Sequence, residues 1–342
     1  MSGILIILLI LILWGINFQD FNKSYISLEG TYAIKGIFAI IILCSHMSSY
    51  YSMPETPVNQ ISRHFITFLG QTMVAPYLFL SGYGIWYSFE HKPHYRNGFF
   101  KNRFLKTLIH FDLALLFFIL VQLFLPIYYP LINYCLCWIG WESVGNSNWF
   151  IFVILSLYLI AYLGLFAEEK TKHSLIPIVF FFSAVLWIAL RFIAHKESWW
   201  VDTIAAFPAG MFLGTVKLSL ESWLKHGPIV KWIALLFIIC AAYLSWHHFH
   251  GVDVYGVSSC LFCLIIVIAA MKIRIGNPVL NWLGKNAFAI YILQRLPMIV
   301  LTHFGVNQNP VVFISSTILI TMLLSLAFTS LTNRIDNVCF HA

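Results

Sequence analysis

Long apolar runs alternate with short polar breaks along the whole chain. The runs lie at roughly 3–18, 31–51, 65–89, 104–127, 148–167, 173–193, 200–217, 229–247, 254–271, 282–304 and 310–332. Apolar stretches near twenty residues suit helices that cross a hydrocarbon core. The alternating ten-residue pattern of a membrane barrel is missing. Lipid offers the backbone no hydrogen-bond partner, so spanning segments must satisfy themselves internally. The pattern predicts an all-α fold, a polytopic transmembrane bundle of about eleven helices. No long polar insert, linker or repeat interrupts it, so residues 1–342 read as a single membrane-embedded domain. The first run, Ile4 to Ile16, has no basic flank before it and no small-residue cleavage site after it. It reads as an uncleaved span rather than a signal peptide.

Composition agrees with this picture. The chain is 60% hydrophobic and 10% charged, whereas a soluble domain carries about 25% charged residues. The net charge of +7 is not a nucleic-acid signature, because the cations fall in short breaks between spans. Their distribution sets an orientation. If the break after the first span is cytoplasmic, sixteen of the twenty Lys and Arg collect on that side, and Arg63, Arg191, Lys196 and Arg295 on the other. An excess of that size predicts the N-terminus outside and the C-terminus inside. Seven cysteines are an odd number and most sit in apolar runs. Cys260 and Cys263 have redox or metal spacing but no second pair beside them, and read as packing residues.

Candidate chemistry begins where polar groups enter the apolar runs. Lys35 and His46 are eleven residues apart in the second run. Eleven steps of about 100° return to nearly the same helical face, with a rise of roughly 16 Å. Lys35 then sits near one membrane surface with His46 deeper on its face. An ionisable group at that depth is a functional candidate. A His can also simply bridge to a neighbouring helix. A neutral imidazole that accepts a proton is what general-base catalysis requires. Arg103 and Lys106 share a helical face in the densest basic segment, Glu90 to Lys106. They serve either as cytoplasmic anchors or as a clamp for an anionic ligand.

The ordered set of motifs resembles the acyltransferase-3 family of integral membrane proteins, of the sugar O-acetyltransferase type. Lys35-x10-His46 is similar to its basic-x10-His motif, and Arg103-x-x-Lys106 to its Arg-x-x-Arg motif. Phe79-Leu80-Ser81-Gly82-Tyr83 and Asn148-Trp149-Phe150…Leu157-Tyr158 are similar to two further segments. The resemblance covers about residues 28–332: a ten-helix core preceded by one extra N-terminal helix. Three departures stand out. Val153 to Ser156 contains no acidic residue, Gln294 ends a segment in which many members have His, and Lys106 replaces an Arg.

The resemblance implies an acyltransferase. It would move an acyl group, acetyl by family habit or else succinyl, from cytoplasmic acyl-CoA to a hydroxyl of a cell-surface or lipid-linked glycan. The acyl-CoA is a donor substrate, and no metal is expected. Arg103, Lys106 and Lys35 would hold the CoA phosphates and His46 would act as base. Asp112, an intramembrane carboxylate, is a candidate to orient His46, or else balances His110 or Arg103. Glu142, Trp149, Asp202 and Asp253 are acceptor-side candidates, since carboxylates and aromatic rings suit carbohydrate. His247, His248 and His250 with Asp253 form a cluster that matches no strong metal spacing. The expected location is a bacterial cytoplasmic membrane, with membrane lipids as neighbours and no nucleic-acid partner. The rival is an exporter or flippase for a polysaccharide or lipid-linked sugar. Transporters commonly carry paired halves with matching broken helices. Here the Lys-x10-His pattern and the basic segment each occur once, which favours the enzyme.

Overall fold

The protein is described by a computed structural model covering residues 2–52, 55–225, 227–249 and 255–340. It is a helical membrane bundle. Six helices are long and apolar enough to cross a membrane: Pro57–His91, Tyr95–Phe124, Trp149–Lys170, Leu175–Ile193, Ile229–His247 and Pro310–Cys339. Shorter apolar helices occupy Ser2–Gly15, Tyr32–Met47, Tyr255–Ala270 and Ala287–His303, and the helix Ala206–Lys225 completes the set. Each of the eleven expected spans has a counterpart among these helices.

The boundaries differ where turn chemistry intervenes. The run expected at 65–89 belongs to a longer stretch that breaks into Pro57–Leu69 and Ala75–His91. Gly70 has φ +46°, which a side chain would strain, and Pro76 lacks an N–H for the preceding turn. The start at Pro57 is capped by Thr56, whose hydroxyl accepts from the Asn59 N–H. The run expected at 282–304 divides into Pro278–Lys285, Ala287–Leu293 and Arg295–His303, with Asn286 and Gln294 at the joints. A short antiparallel pair, Ile16–Phe18 with Ile273–Ile275, was not foreseen; it ties the end of the first helix to the segment before Pro278.

Two close crossings fix the frame of the site. The Tyr32–Met47 helix packs tightly on Pro278–Lys285, and Ala75–His91 on Ala206–Lys225. Both are made by reciprocal glycines. A Cβ on Gly36 would strike the Leu280 carbonyl, and one on Gly284 the Tyr32 carbonyl. Gly82 and Gly210 face the Phe207 and Phe79 carbonyls in the same way. Small residues let membrane helices approach until backbones touch. Three buried apolar clusters fill the remaining space, centred on Phe79 and Phe207, on Leu43 and Phe313, and on Phe111 and Phe118.

Candidate active site

The glycine crossings leave a large cavity beside them. Its volume is about 800 Å³, ample for a ligand of drug size or larger. Its walls come from the Tyr32–Met47, Ala75–His91, Tyr95–Phe124, Trp149–Lys170 and Ala287–Leu293 helices. Lys23, Lys35, Lys92, Arg103, Lys217 and Lys285 line it, and no Asp or Glu does. Among the described residues, Lys217 alone of these has a carboxylate partner, Glu221 at 2.7 Å. Such a charge distribution attracts a polyanion.

Each basic side chain is placed by local structure. Gly36 presses the start of its helix against Pro278–Lys285. The neighbouring Lys35 turns to the cavity, and its carbonyl accepts a 2.6 Å hydrogen bond from the Tyr77 hydroxyl. Lys35 Nζ lies 5.8 Å from the Tyr32 ring centroid, and Arg103 is its charged neighbour. Arg103 sits in Phe100–Leu105, where the helix widens to π geometry; such bulges are frequent at functional sites. Its Nε donates to the Tyr95 hydroxyl at 3.2 Å, and its guanidinium also faces Tyr158. The Tyr158 and Ser81 hydroxyls are 3.0 Å apart. Ser81 reaches the cavity because Gly82 occupies the crossing behind it.

Part of the cavity wall carries no charge. Ala39, Ile42, Phe150, Ile154, Tyr291 and Gln294 line this part. His46 stands beside it, with its ring centroid 6.4 Å from that of Tyr291. The Tyr32–Met47 helix ends sooner than the expected 31–51, so His46 lies in its last turn. The His46 Nδ1, Tyr291 hydroxyl and Gln294 Oε1 are all buried without a hydrogen-bond partner. Buried polar groups are nearly always paired. Unmet ones around a cavity are what a polar ligand would satisfy.

The family match follows the same residues. The acyltransferase-3 profile, described as an acyltransferase domain, matches residues 28–330. The chain belongs to the acyltransferase-3 family. No curated protein matches the chain, and no solved structure does. The four family-like segments, distant in sequence, supply Lys35, Ser81, Arg103, Phe150 and Tyr158 to one acyltransferase-3 cavity, with His46 next to Tyr291 of its wall.

Other expected site residues lie elsewhere. Lys106 does not line the cavity; its Nζ is 2.7 Å from Asp336, which also bonds His110 Nε2 at 2.9 Å. Asp112 has a buried, unpartnered Oδ1 and Cys137 as a neighbour. Among the described residues, no hydrogen bond or ion pair joins it to His46. Glu142 pairs with Lys196 at 3.2 Å, and Lys196 lies over the rings of Trp141 and Trp200. Trp149 packs edge-on against Phe150. Asp202 is buried, with its carbonyl accepting from Ser259 at 3.0 Å. Asp253, His248 and His250 lie outside the described side chains. All seven cysteines are free thiols. No cluster of three metal-binding side chains occurs among the described residues.

Sequence reasoning missed Tyr77, Lys92, Lys217, Lys285 and Tyr291 as cavity residues, and Tyr95 as the partner of Arg103. The lysines had a signal in the charge asymmetry, but that signal gives a side of the membrane and no wall of a cavity. Tyr77 and Tyr95 had none, because a tyrosine near a membrane surface is ordinary.

Proposed function

We propose that this acyltransferase-3 protein moves an acyl group from cytoplasmic acyl-CoA to a hydroxyl of a cell-surface or lipid-linked glycan. Acetyl is the expected group and succinyl the larger alternative. The observation that carries the reading is the cavity itself: six cations and no carboxylate among its described lining residues, with unmet polar atoms at Tyr291, Gln294 and the neighbouring His46. CoA phosphates would lie against Lys35 and Arg103. The rise of roughly 16 Å from Lys35 to His46 would be bridged by the pantetheine arm. His46 would take the proton of the acceptor hydroxyl as its oxygen bonds the acyl carbon. The carbon–sulfur bond would break, and the thiolate leaving group would recover the proton. Direct transfer needs both substrates within about 3–3.5 Å at one point, which a single cavity beside His46 supports.

The orientation that fits is N-terminus out and C-terminus in, within a bacterial cytoplasmic membrane. The charge asymmetry supports it.

The test is transfer from radiolabelled acetyl-CoA and succinyl-CoA to a glycan fraction in membranes with and without the protein. Labelled glycan that depends on the protein is expected. Its absence with both donors overturns the enzyme reading. Full activity in His46→Ala overturns the base assignment alone.

A further inference from the structure

Just past Tyr291 and Gln294 of the cavity wall, Arg295 is a cation without a carboxylate partner among the described residues. Charge counting puts Arg63, Arg191, Lys196 and Arg295 on the side of the membrane away from Lys35. Arg63 lies 4.0 Å from Glu55, and Lys196 lies 3.2 Å from Glu142. Arg295 has only neutral partners among the described residues. Its Nε donates to the Tyr50 hydroxyl at 3.2 Å, and one Nη to the Asn146 carbonyl at 3.5 Å. A guanidinium carries five N–H donors in a rigid fork, so most of its capacity is unused. It also runs against the positive-inside excess, at a place where a partly buried charge is costly.

Its surroundings are rich in donors. Tyr291 and Arg295 are four residues apart, as are His46 and Tyr50. Tyr291 meets His46, and Arg295 meets Tyr50, so the two segments face each other rung by rung. The loop at Asn146 and Ser147 covers the same face. Asn146 Oδ1 accepts from the Val144 N–H at 3.0 Å, which leaves its Nδ2 as the free atom. The Ser147 hydroxyl lies against that of Tyr291, and neither has a further partner. Asn146 and Ser147 are 2% and 4% exposed, so bulk water does not satisfy these donors.

We propose that Arg295, Asn146 and Ser147 form an anion subsite, and that the acceptor carries a carboxylate or phosphate beside the hydroxyl acylated at His46. The one-turn offset from Tyr291 to Arg295 is about 6 Å. A charged substituent and a ring hydroxyl within one sugar residue span that distance. The Gln294 Oε1, an unmet acceptor lining the cavity, would take a further sugar hydroxyl. The proposal names the acceptor class for the function proposed above and rests on that reading.

The test is calorimetric binding of methyl glucuronide, glucosyl phosphate and neutral methyl glucoside to detergent-solubilised protein, with acetyl transfer to each measured in parallel. At least one charged sugar is expected to bind ten times or more tighter than the glucoside, about one charge-assisted hydrogen bond in magnitude. Comparing the two charged sugars distinguishes carboxylate from phosphate. Arg295→Gln should reduce the preference to under about twofold, while Arg295→Lys keeps part of it. CoA binding, measured on each variant, reports folding. Equal binding of charged and neutral sugars, no binding of any, or retained discrimination in Arg295→Gln overturns the proposal. Equal binding with a matched loss of transfer to all acceptors would instead make Arg295 an oxyanion stabiliser. Absent transfer with intact charge discrimination overturns the enzyme reading and leaves the subsite standing.

Discussion

Lys106 Nζ is 2.7 Å from the Asp336 carboxylate, and this pairing separates the two cations of the Arg103-x-x-Lys106 segment. Arg103 faces the cavity, while Lys106 fastens its helix to the last helix of the chain. Asp336 is 6% exposed and bonds His110 as well. Lys106 is a third exposed and Asp336 would keep His110, so losing this charged hydrogen bond costs about 1–3 kcal/mol. Lys106→Met should therefore lower thermal stability markedly while changing the donor KM less than about twofold, below 0.5 kcal/mol. A tenfold rise in donor KM for this variant would return Lys106 to the donor site.

Arg103 should behave in the opposite way. Arg103→Ala removes a cavity-facing guanidinium and at least one charge-assisted contact to an anionic donor, worth about 1.5–3 kcal/mol. Donor KM should rise about tenfold or more. CoA titration of the solubilised protein checks this without turnover; unchanged affinity would remove Arg103 from the donor site.

Tyr158 links Ser81 and Arg103 across three segments. Tyr158→Phe deletes only the hydroxyl and leaves the ring packing against Phe99 and Phe207. Loss of a hydrogen bond of this kind costs about 1 kcal/mol. The expected result is a several-fold rise in donor KM with unchanged kcat, read from initial rates. A fall in kcat alone would place Tyr158 in the chemical step.

His46→Gln should lower kcat by roughly a hundredfold to ten-thousandfold, the usual contribution of general acid–base catalysis. CoA affinity should stay within about twofold of wild type, because the phosphate contacts proposed at Lys35 would lie roughly 16 Å along the helix. Single-turnover transfer with saturating donor separates the two effects.

Gly36→Ala and Gly82→Ala test the frame. Each added methyl meets a carbonyl across a helix crossing, and overpacking of this type costs about 1–3 kcal/mol. Both variants should lose thermal stability, and Gly36→Ala should also weaken donor binding by displacing Lys35. Gly84 has open space around it, so Gly84→Ala should be silent in the same melting experiment.

Much of this was readable along the chain. The apolar runs foretold eleven spans because lipid makes the hydrophobic pattern nearly synonymous with helix. Lys35 and His46 could be set on one face because helical periodicity is rigid over eleven residues. The breaks at Gly70 and Gln294 stayed hidden inside runs that are apolar on both flanks. Lys106 and Arg103 look equivalent at a spacing of three, and only the partner Asp336, more than two hundred residues away, divides their roles. Tyr77, Tyr291 and Arg295 acquire meaning from helix crossings that no local pattern encodes.

The Tyr32–Met47 helix has sixteen residues, roughly 24 Å, against a hydrocarbon core of about 30 Å. None of its residues is exposed, so neighbouring helices rather than lipid surround it. At that length the helix spans less than a full hydrocarbon core. The same shortening narrows the barrier against ion leakage. That barrier falls to the apolar plug of Leu43, Cys44, Met47 and Phe313 behind His46. A polar replacement in the plug would be felt first as proton conductance across the membrane, before acyl transfer declines.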